Sequence, residues 1–243
     1  MGSTDQRKLR ALILQHEDPT PPGYVMEWLH SHDAEIEILR IDLDDRAIDP
    51  TDYDLIVSLG SEFAAFDDAK PFVRREAELM RRAVDGDVPV LGLCFGGQLL
   101  ARVLGAENYR GKVAEIGWLP VRSEDAQLVP EGPWFQWHFD TFTEPPGATV
   151  IATTDAGLQA FVAGRSLGLQ FHPEVTTDIM DEWVRVYRHE LDGDGVDPDA
   201  LLEETKRLAD ASRRNALQLF EHFYSDVAKL DERADATDER AAG

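Results

Sequence analysis

The chain has a single cysteine, Cys94, in the segment Gly92-Leu93-Cys94-Phe95-Gly96-Gly97, and a later segment, Gly168-Leu169-Gln170-Phe171-His172-Pro173-Glu174, places a histidine and a carboxylate two positions apart. Thiolate chemistry needs a nucleophile, a base and a group that orients the base. In an extended backbone, residues i and i+2 point the same way, so His172 and Glu174 can share a face, with Pro173 stiffening the link. The carboxylate then holds the imidazole's tautomer and orientation. Seen alone, each segment also has an ordinary reading. A lone cysteine is usually a small buried hydrophobe, and His-Pro-Glu can be a turn without chemistry.

What must position Cys94 is written around it. Val88 to Leu93 is a short apolar run, read as a strand buried on both faces, and Leu99, Leu100, Val103 and Leu104 follow at helical spacing. Glycines on either side of Cys94 let the backbone turn sharply between the two. Such a nucleophile elbow lifts the side chain out at the end of a parallel sheet, aims a helix N-terminus at it and frees the Phe95 N–H to stabilise an oxyanion. A helix N-terminus also favours the thiolate form.

On these residues, GLCFGGQ (Gly92 to Gln98) and QFHPEV (Gln170 to Val175), the chain resembles a class I, triad-type glutamine amidotransferase, as a standalone amidotransferase domain similar to the glutaminase domain of GMP synthase. The resemblance covers roughly the first three quarters of the chain. It implies Cys94 as nucleophile, His172 as general base and acid, Glu174 as the residue orienting His172, and Gln98 as a contact to bound glutamine. It implies further that a backbone N–H at Gly60 joins that of Phe95 in an oxyanion hole, and that His138, in the His-x-Asp pattern His138 to Asp140, lines the glutamine pocket. For His138 a packing role in an aromatic strand is the other reading. The family opens the Gly60 loop with Gly-Gly-Pro, whereas here the second glycine is Ser61 and the proline is Glu62. That departure adds a Cβ and a negative charge near the expected glutamine.

The reaction implied is hydrolysis of the glutamine side-chain amide through a γ-glutamyl thioester, releasing glutamate and ammonia for a separate synthase chain. Neither cofactor nor metal is needed for this half-reaction. The alternatives are a γ-glutamyl peptidase acting on glutathione-like conjugates with the same triad, a non-catalytic amidotransferase-like binding module, and a different thiol hydrolase on a similar sheet.

Length and charge bound the rest. At 243 residues one α/β domain with a large core is expected and a second full domain is not, so an acceptor-using synthase should be another chain. The net charge of −23 leaves no basic stripe to displace counterions, which argues against a nucleic-acid partner. The excess of carboxylates fits either an ordinary acidic enzyme or a salt-rich cytosol that screens self-repulsion. No apolar stretch reaches the length of a membrane helix and the N-terminus lacks a signal-peptide core. One cysteine allows no internal disulfide. A cytoplasmic location is expected.

In chain order, strands are expected at 9–14, 35–41, 53–59 and 88–93, with helices at 24–32, 71–84 and after Cys94. Asp67-Asp68 is read as capping the second helix, and His30 and His32 as solvated. Strands at 113–121, 134–140, 148–153, 158–163 and 167–171 bring His172 back beside the elbow. A helix around Met180 to Tyr187, an acidic loop over 192–198 and a helix over about 199–227 follow. The expected fold is α/β, a flavodoxin-like, doubly wound, mostly parallel open sheet with helices on both faces and a small antiparallel β extension. Residues 1–230 are expected to form one amidotransferase-like domain, with 179–230 as a C-terminal helical extension and 231–243 as a frayed tail.

Overall fold

The computed structural model describes residues 7–231, so nearly all of the expected tail, 232–243, lies outside the described residues. Alternation of apolar residues along the first strands decides the architecture. On β1 (Arg10–Gln15), Ala11 and Ile13 point to one side and Leu12 and Leu14 to the other, all fully buried. A strand with two apolar faces must be covered twice. Helices α1 (Tyr24–Ser31) and α6 (Pro198–His222) cover the Ala11 side with Val25, Trp28, Leu29, Leu219 and Phe220. Helices α2 (Pro71–Asp85) and α3 (Phe95–Val103) cover the other with Phe72, Met80, Leu99 and Leu100. Burying one such side chain is worth about 1.5–3 kcal/mol, against roughly 0–1 kcal/mol for an exposed ion pair. Apolar layering therefore fixes where the helices sit.

The main sheet has eight strands. β1 pairs in parallel with β2 (Glu35–Arg40) and β3 (Leu55–Ser58), β3 with β4 (Val90–Leu93), and β4 with β10 (Ser166–Leu169). Beyond β10 the pairing turns antiparallel through β9 (Leu158–Ala163), β8 (Thr149–Thr153) and the short β6 (Arg122–Ser123), giving the order β2-β1-β3-β4-β10-β9-β8-β6. This is the expected flavodoxin-like, doubly wound sheet with its antiparallel extension. A separate antiparallel ribbon, β5 (Asn108–Leu119) with β7 (Trp134–Phe142), carries a bulge between Arg110 and Glu115. Its aromatic residues Trp118, Phe135 and Trp137 pack against Ile179, Met180 and Trp183 of α4 (Thr177–Val186).

Several local expectations are corrected. Asp67 and Asp68 do not cap α2: its N-cap is Lys70 with Pro71 next, Asp67 accepts from the Ala69 N–H, and Asp68 pairs with Arg102 of α3. His32 is not simply solvated, since it meets Glu221 at 2.9 Å and stacks on Tyr224 at 4.1 Å. The acidic stretch after α4 begins as a short helix, α5 (Arg188–Asp194), ended by Gly195 in the left-handed region. Asp197 then caps α6 by accepting from the Asp199 and Ala200 N–H groups. No described helix is long and apolar enough to cross a membrane.

Candidate active site

Four of the chemistry-bearing segments leave the carboxyl ends of parallel strands, the edge where open α/β sheets place their ligands. His16 follows β1, Gly60 follows β3, Cys94 follows β4 and His172 follows β10.

Cys94 sits at the turn into α3 with φ 49° and ψ −104°, a backbone state that L-residues rarely adopt. The surrounding glycines explain how the turn closes. A Cβ at Gly96 would lie 2.3 Å from the Ser58 carbonyl oxygen, and one at Gly97 would lie 2.2 Å from that of Leu169. The Cys94 N–H donates to the Leu169 carbonyl at 2.8 Å, tying the elbow to β10. Phe95 opens the helix, so its N–H has no intrahelical acceptor. The Cys94 sulfur lies 3.7 Å from Gln170 Nε2 and 3.9 Å from the Trp137 carbonyl oxygen.

His172 and Glu174 come together, though not on a continuing strand. β10 ends at Leu169 and the pair occupies the turn that follows. His172 Nδ1 meets Glu174 Oε1 at 2.7 Å, both side chains are buried, and the His172 N–H donates to the Phe135 carbonyl at 2.8 Å. The Trp183 ring stands edge-on to the imidazole at 4.9 Å. Burial is the largest influence on the imidazole and pushes its pKa down. Attraction to the Glu174 carboxylate and to Cys94, with hydrogen bonds donated by the ring to both, outweighs it and raises the ring to about 10. The Glu174 carbonyl accepts from the Tyr24 N–H at 3.0 Å. That approach requires Gly23, where a Cβ would lie 1.9 Å from the same oxygen.

Cys94, Gln98, His138 and His172 line one pocket, together with Ser61 and Glu62. Gly60 lies beside Cys94, with its Cβ position 3.8 Å from Cys94 Cβ, and Phe95 follows Cys94 at the start of α3. A Cβ at Gly60 would come 2.7 Å from His172 Cε1, so only glycine lets the loop approach the imidazole so closely. Gln98 Nε2 donates to the Asp140 carbonyl at 3.0 Å and to Gln170 Oε1 at 3.3 Å. His138 engages both ring nitrogens, Nε2 with Glu115 Oε2 at 3.0 Å and Nδ1 with the Asp140 carbonyl at 3.2 Å. Burial pushes the Glu115 carboxyl up, but hydrogen bonds from His138, Thr154 and Gln159 hold it below the usual carboxylate range. The far wall carries Tyr187 and Glu190, with Glu17 close to Glu62. Burial and the neighbouring Glu62 raise the Glu17 carboxyl, against the Glu62 N–H and other lowering contacts. Tyr187 is raised as well, by burial first and then by Glu17, Glu62 and Glu190.

Sequence reasoning missed several of these residues. Gln170 lies inside the motif, yet its type alone gives it no role there. Trp137 and Trp183 read as packing residues, which they also are. His16 had only a faint signal, a polar residue at the end of an apolar strand. Among the described residues no group of three or more His, Cys, Asp or Glu side chains is placed to hold a metal ion.

The profile of the family described as Glutamine amidotransferase class-I matches residues 25–184, a span holding Cys94, His172 and Glu174. The chain belongs to this family. A glutamine-hydrolyzing GMP synthase from Aeropyrum pernix is 37% identical over 110 residues, covering 40% of this chain and 21% of that protein. The chain thus matches about a fifth of the length of that relative. From Sulfurisphaera tokodaii, one subunit of a glutamine-hydrolyzing GMP synthase is 34% identical over 138 residues, 51% of this chain and 69% of that one. Among solved structures, a glutamine amidotransferase from Thermotoga maritima superposes with a TM-score of 0.81 at 33% identity, covering 89% of this chain and 98% of that one. A glutamine amido transferase from Methylobacillus flagellatus gives 0.83 at 27% identity, covering 91% and 96%. The span matched in this class-I amidotransferase thus holds both the elbow and the His172–Glu174 turn.

Proposed function

We propose that this amidotransferase hydrolyses the side-chain amide of glutamine through Cys94, His172 and Glu174. The observation that carries the reading is one arrangement: a strained cysteine at a helix N-terminus shares a pocket with an imidazole that a buried carboxylate meets at 2.7 Å. His172 takes the thiol proton as the sulfur becomes the nucleophile. The Cys94 sulfur attacks the amide carbon, and the oxyanion forms against backbone N–H groups of Phe95 and the Gly60 loop. As the C–N bond breaks, His172 gives its proton to the nitrogen and ammonia leaves. Water then loses a proton to His172 and attacks the γ-glutamyl thioester, which releases glutamate and restores the sulfur. Glu174 keeps Nε2 turned to the sulfur by accepting from Nδ1–H. Gln98 and His138, whose polar atoms are largely engaged by Asp140, Gln170 and Glu115, shape the pocket wall against the substrate.

Residues 1–230 act as one amidotransferase unit in this reading, and the ammonia passes to a separate synthase chain in the cytoplasm. The name of the Sulfurisphaera tokodaii relative, which is one part of a divided synthase, supports that division. Ammonia released to water is lost to such a synthase, so the isolated chain should be a weak glutaminase. The test offers glutamine and a γ-glutamyl-cysteinyl dipeptide side by side and follows glutamate release. Slow glutamine hydrolysis and still slower dipeptide cleavage are expected. A large preference for the dipeptide by the isolated chain would replace the amidotransferase reading with a γ-glutamyl peptidase.

A further inference from the structure

Behind the Gly60 loop lies a second buried histidine and carboxylate that the proposed reaction does not use. His16, Ser58 and Glu76 are each 0% exposed. His16 Nε2 meets Glu76 Oε2 at 2.7 Å, Ser58 Oγ donates to Glu76 Oε1 at 2.6 Å, and His16 Nδ1 lies 3.1 Å from the Gly60 carbonyl oxygen. A carbonyl can only accept, so Nδ1 carries a hydrogen, and a further proton must lie between Nε2 and Oε2. Whichever side holds that proton, the assembly is neutral and its hydrogen bonds are satisfied.

Stability does not account for such a group. Well-packed apolar residues of similar volume are often neutral or better replacements for a buried polar pair. Its position gives a more specific account. In a trans peptide the carbonyl of one residue and the N–H of the next point in opposite directions. His16 takes the Gly60 carbonyl on the interior side, while Ser61 lines the pocket and Gly60 itself abuts His172 and Cys94. The other end of the chain, Ser58, lies directly under Gly96 of the elbow helix, the Gly96 N–H donates to the Leu59 carbonyl at 3.2 Å, and the His16 ring stands edge-on to Phe95 at 4.5 Å. One hydrogen-bonded group thus touches the backbone on both sides of the cysteine.

We infer that His16 is a positioning residue of the oxyanion hole: its Nδ1–H holds the Gly60 carbonyl inward, which leaves the Ser61 N–H turned toward Cys94 as the second donor beside Phe95. The inference rests on the proposed hydrolysis. It refines the expected donor at Gly60 to the peptide that Gly60 shares with Ser61.

Two substitutions separate this role from simple pairing with Glu76. In His16→Asn the amide nitrogen takes the place of Nδ1 and keeps the bond to Gly60. In His16→Gln it takes the place of Nε2 and keeps the bond to Glu76. Hydrolysis of glutamine and of γ-glutamyl p-nitroanilide is measured beside alkylation of Cys94 by iodoacetamide, a displacement that forms no oxyanion. His16→Gln should lose about 100-fold in kcat with KM little changed, the scale of one oxyanion donor. His16→Asn should stay within about tenfold of the wild type, and both should alkylate at the wild-type rate. Should His16→Asn melt below the assay temperature, His16→Asn/Glu76→Leu, which removes the orphaned carboxylate, is read in its place. His16→Gln as active as the wild type or as His16→Asn would overturn the inference, as would alkylation that falls in step with kcat. A wild type that hydrolyses neither substrate would instead overturn the proposed hydrolysis, and the inference with it.

Discussion

His172 is the residue on which opposing influences meet. Burial favours the neutral ring, and the carboxylate at 2.7 Å together with negative charge on Cys94 reverses that preference. The folded pKa of about 10 stands above the ordinary 6.5. The stability this pair contributes is therefore complete below about pH 6.5 and is lost as pH rises through about 10. The same proton is the one given to leaving ammonia, so kcat/KM for glutamine should fall on an alkaline limb near pH 10. In Glu174→Gln the amide oxygen still accepts from Nδ1–H but the charge is gone. That variant should keep more activity than Glu174→Ala, and its alkaline limb should move to lower pH. His172→Ala should be the most damaging of the three, by roughly 10²–10⁴-fold, the range of general acid–base catalysis. A pH–rate series on the three variants checks this, and an unmoved limb in Glu174→Gln would mean that the carboxylate's charge does not hold the His172 proton. Much at this scale was legible, because two short motifs carry residue types with a chemical reason for their order. Gln170 and His16 were not, since nothing in a sequence says which glutamine or histidine a fold will turn toward a sulfur or a carbonyl.

At the scale of elements, the elbow works because two strand ends press against the first turn of α3. Gly96 has the Ser58 backbone and hydroxyl within 2.5 Å of any added Cβ, and Gly97 has the Leu169 carbonyl within 2.2 Å. The nearest atom at each position is a backbone carbonyl oxygen, so Gly96→Ala must push α3 off β3. The expected cost is about 2–3 kcal/mol, in the overpacking range, or a fall in Tm of about 4–12 °C for a chain of this size. Thermal unfolding checks it, and a Tm within about 2 °C of the wild type would mean that the helix start yields without strain. The elements themselves were largely readable, because apolar runs and 3.6-residue spacing report burial directly. The ends were less so. β10 stops at Leu169, and the His172–Glu174 contact is made in a turn that Gly23 and the Phe135 carbonyl hold from outside. That support is tertiary and leaves no local trace. Asp67 and Asp68 were misread for the same reason, since Asp68 finds a partner on a different helix.

For the molecule as a whole, the sheet order brings four strand ends to one edge, and the β5–β7 ribbon with α4 closes the pocket over them. The parallel half was foreseeable from alternating strands and helices. The pairing of β5 with β7 across a bulge was not, because register between distant strands is set by aromatic packing on α4 and by contacts such as Trp118 Nε1 to Thr205 Oγ1 at 2.9 Å. All of this geometry converges on one sulfur. The most direct measurement treats the protein with a diazoketone analogue of glutamine and maps the adduct by mass spectrometry while following turnover. A single adduct on Cys94, with hydrolysis lost in proportion to labelling and abolished in Cys94→Ser, is the expected result. An adduct elsewhere, or near-full turnover in Cys94→Ser, would contradict the assignment of Cys94 as the nucleophile.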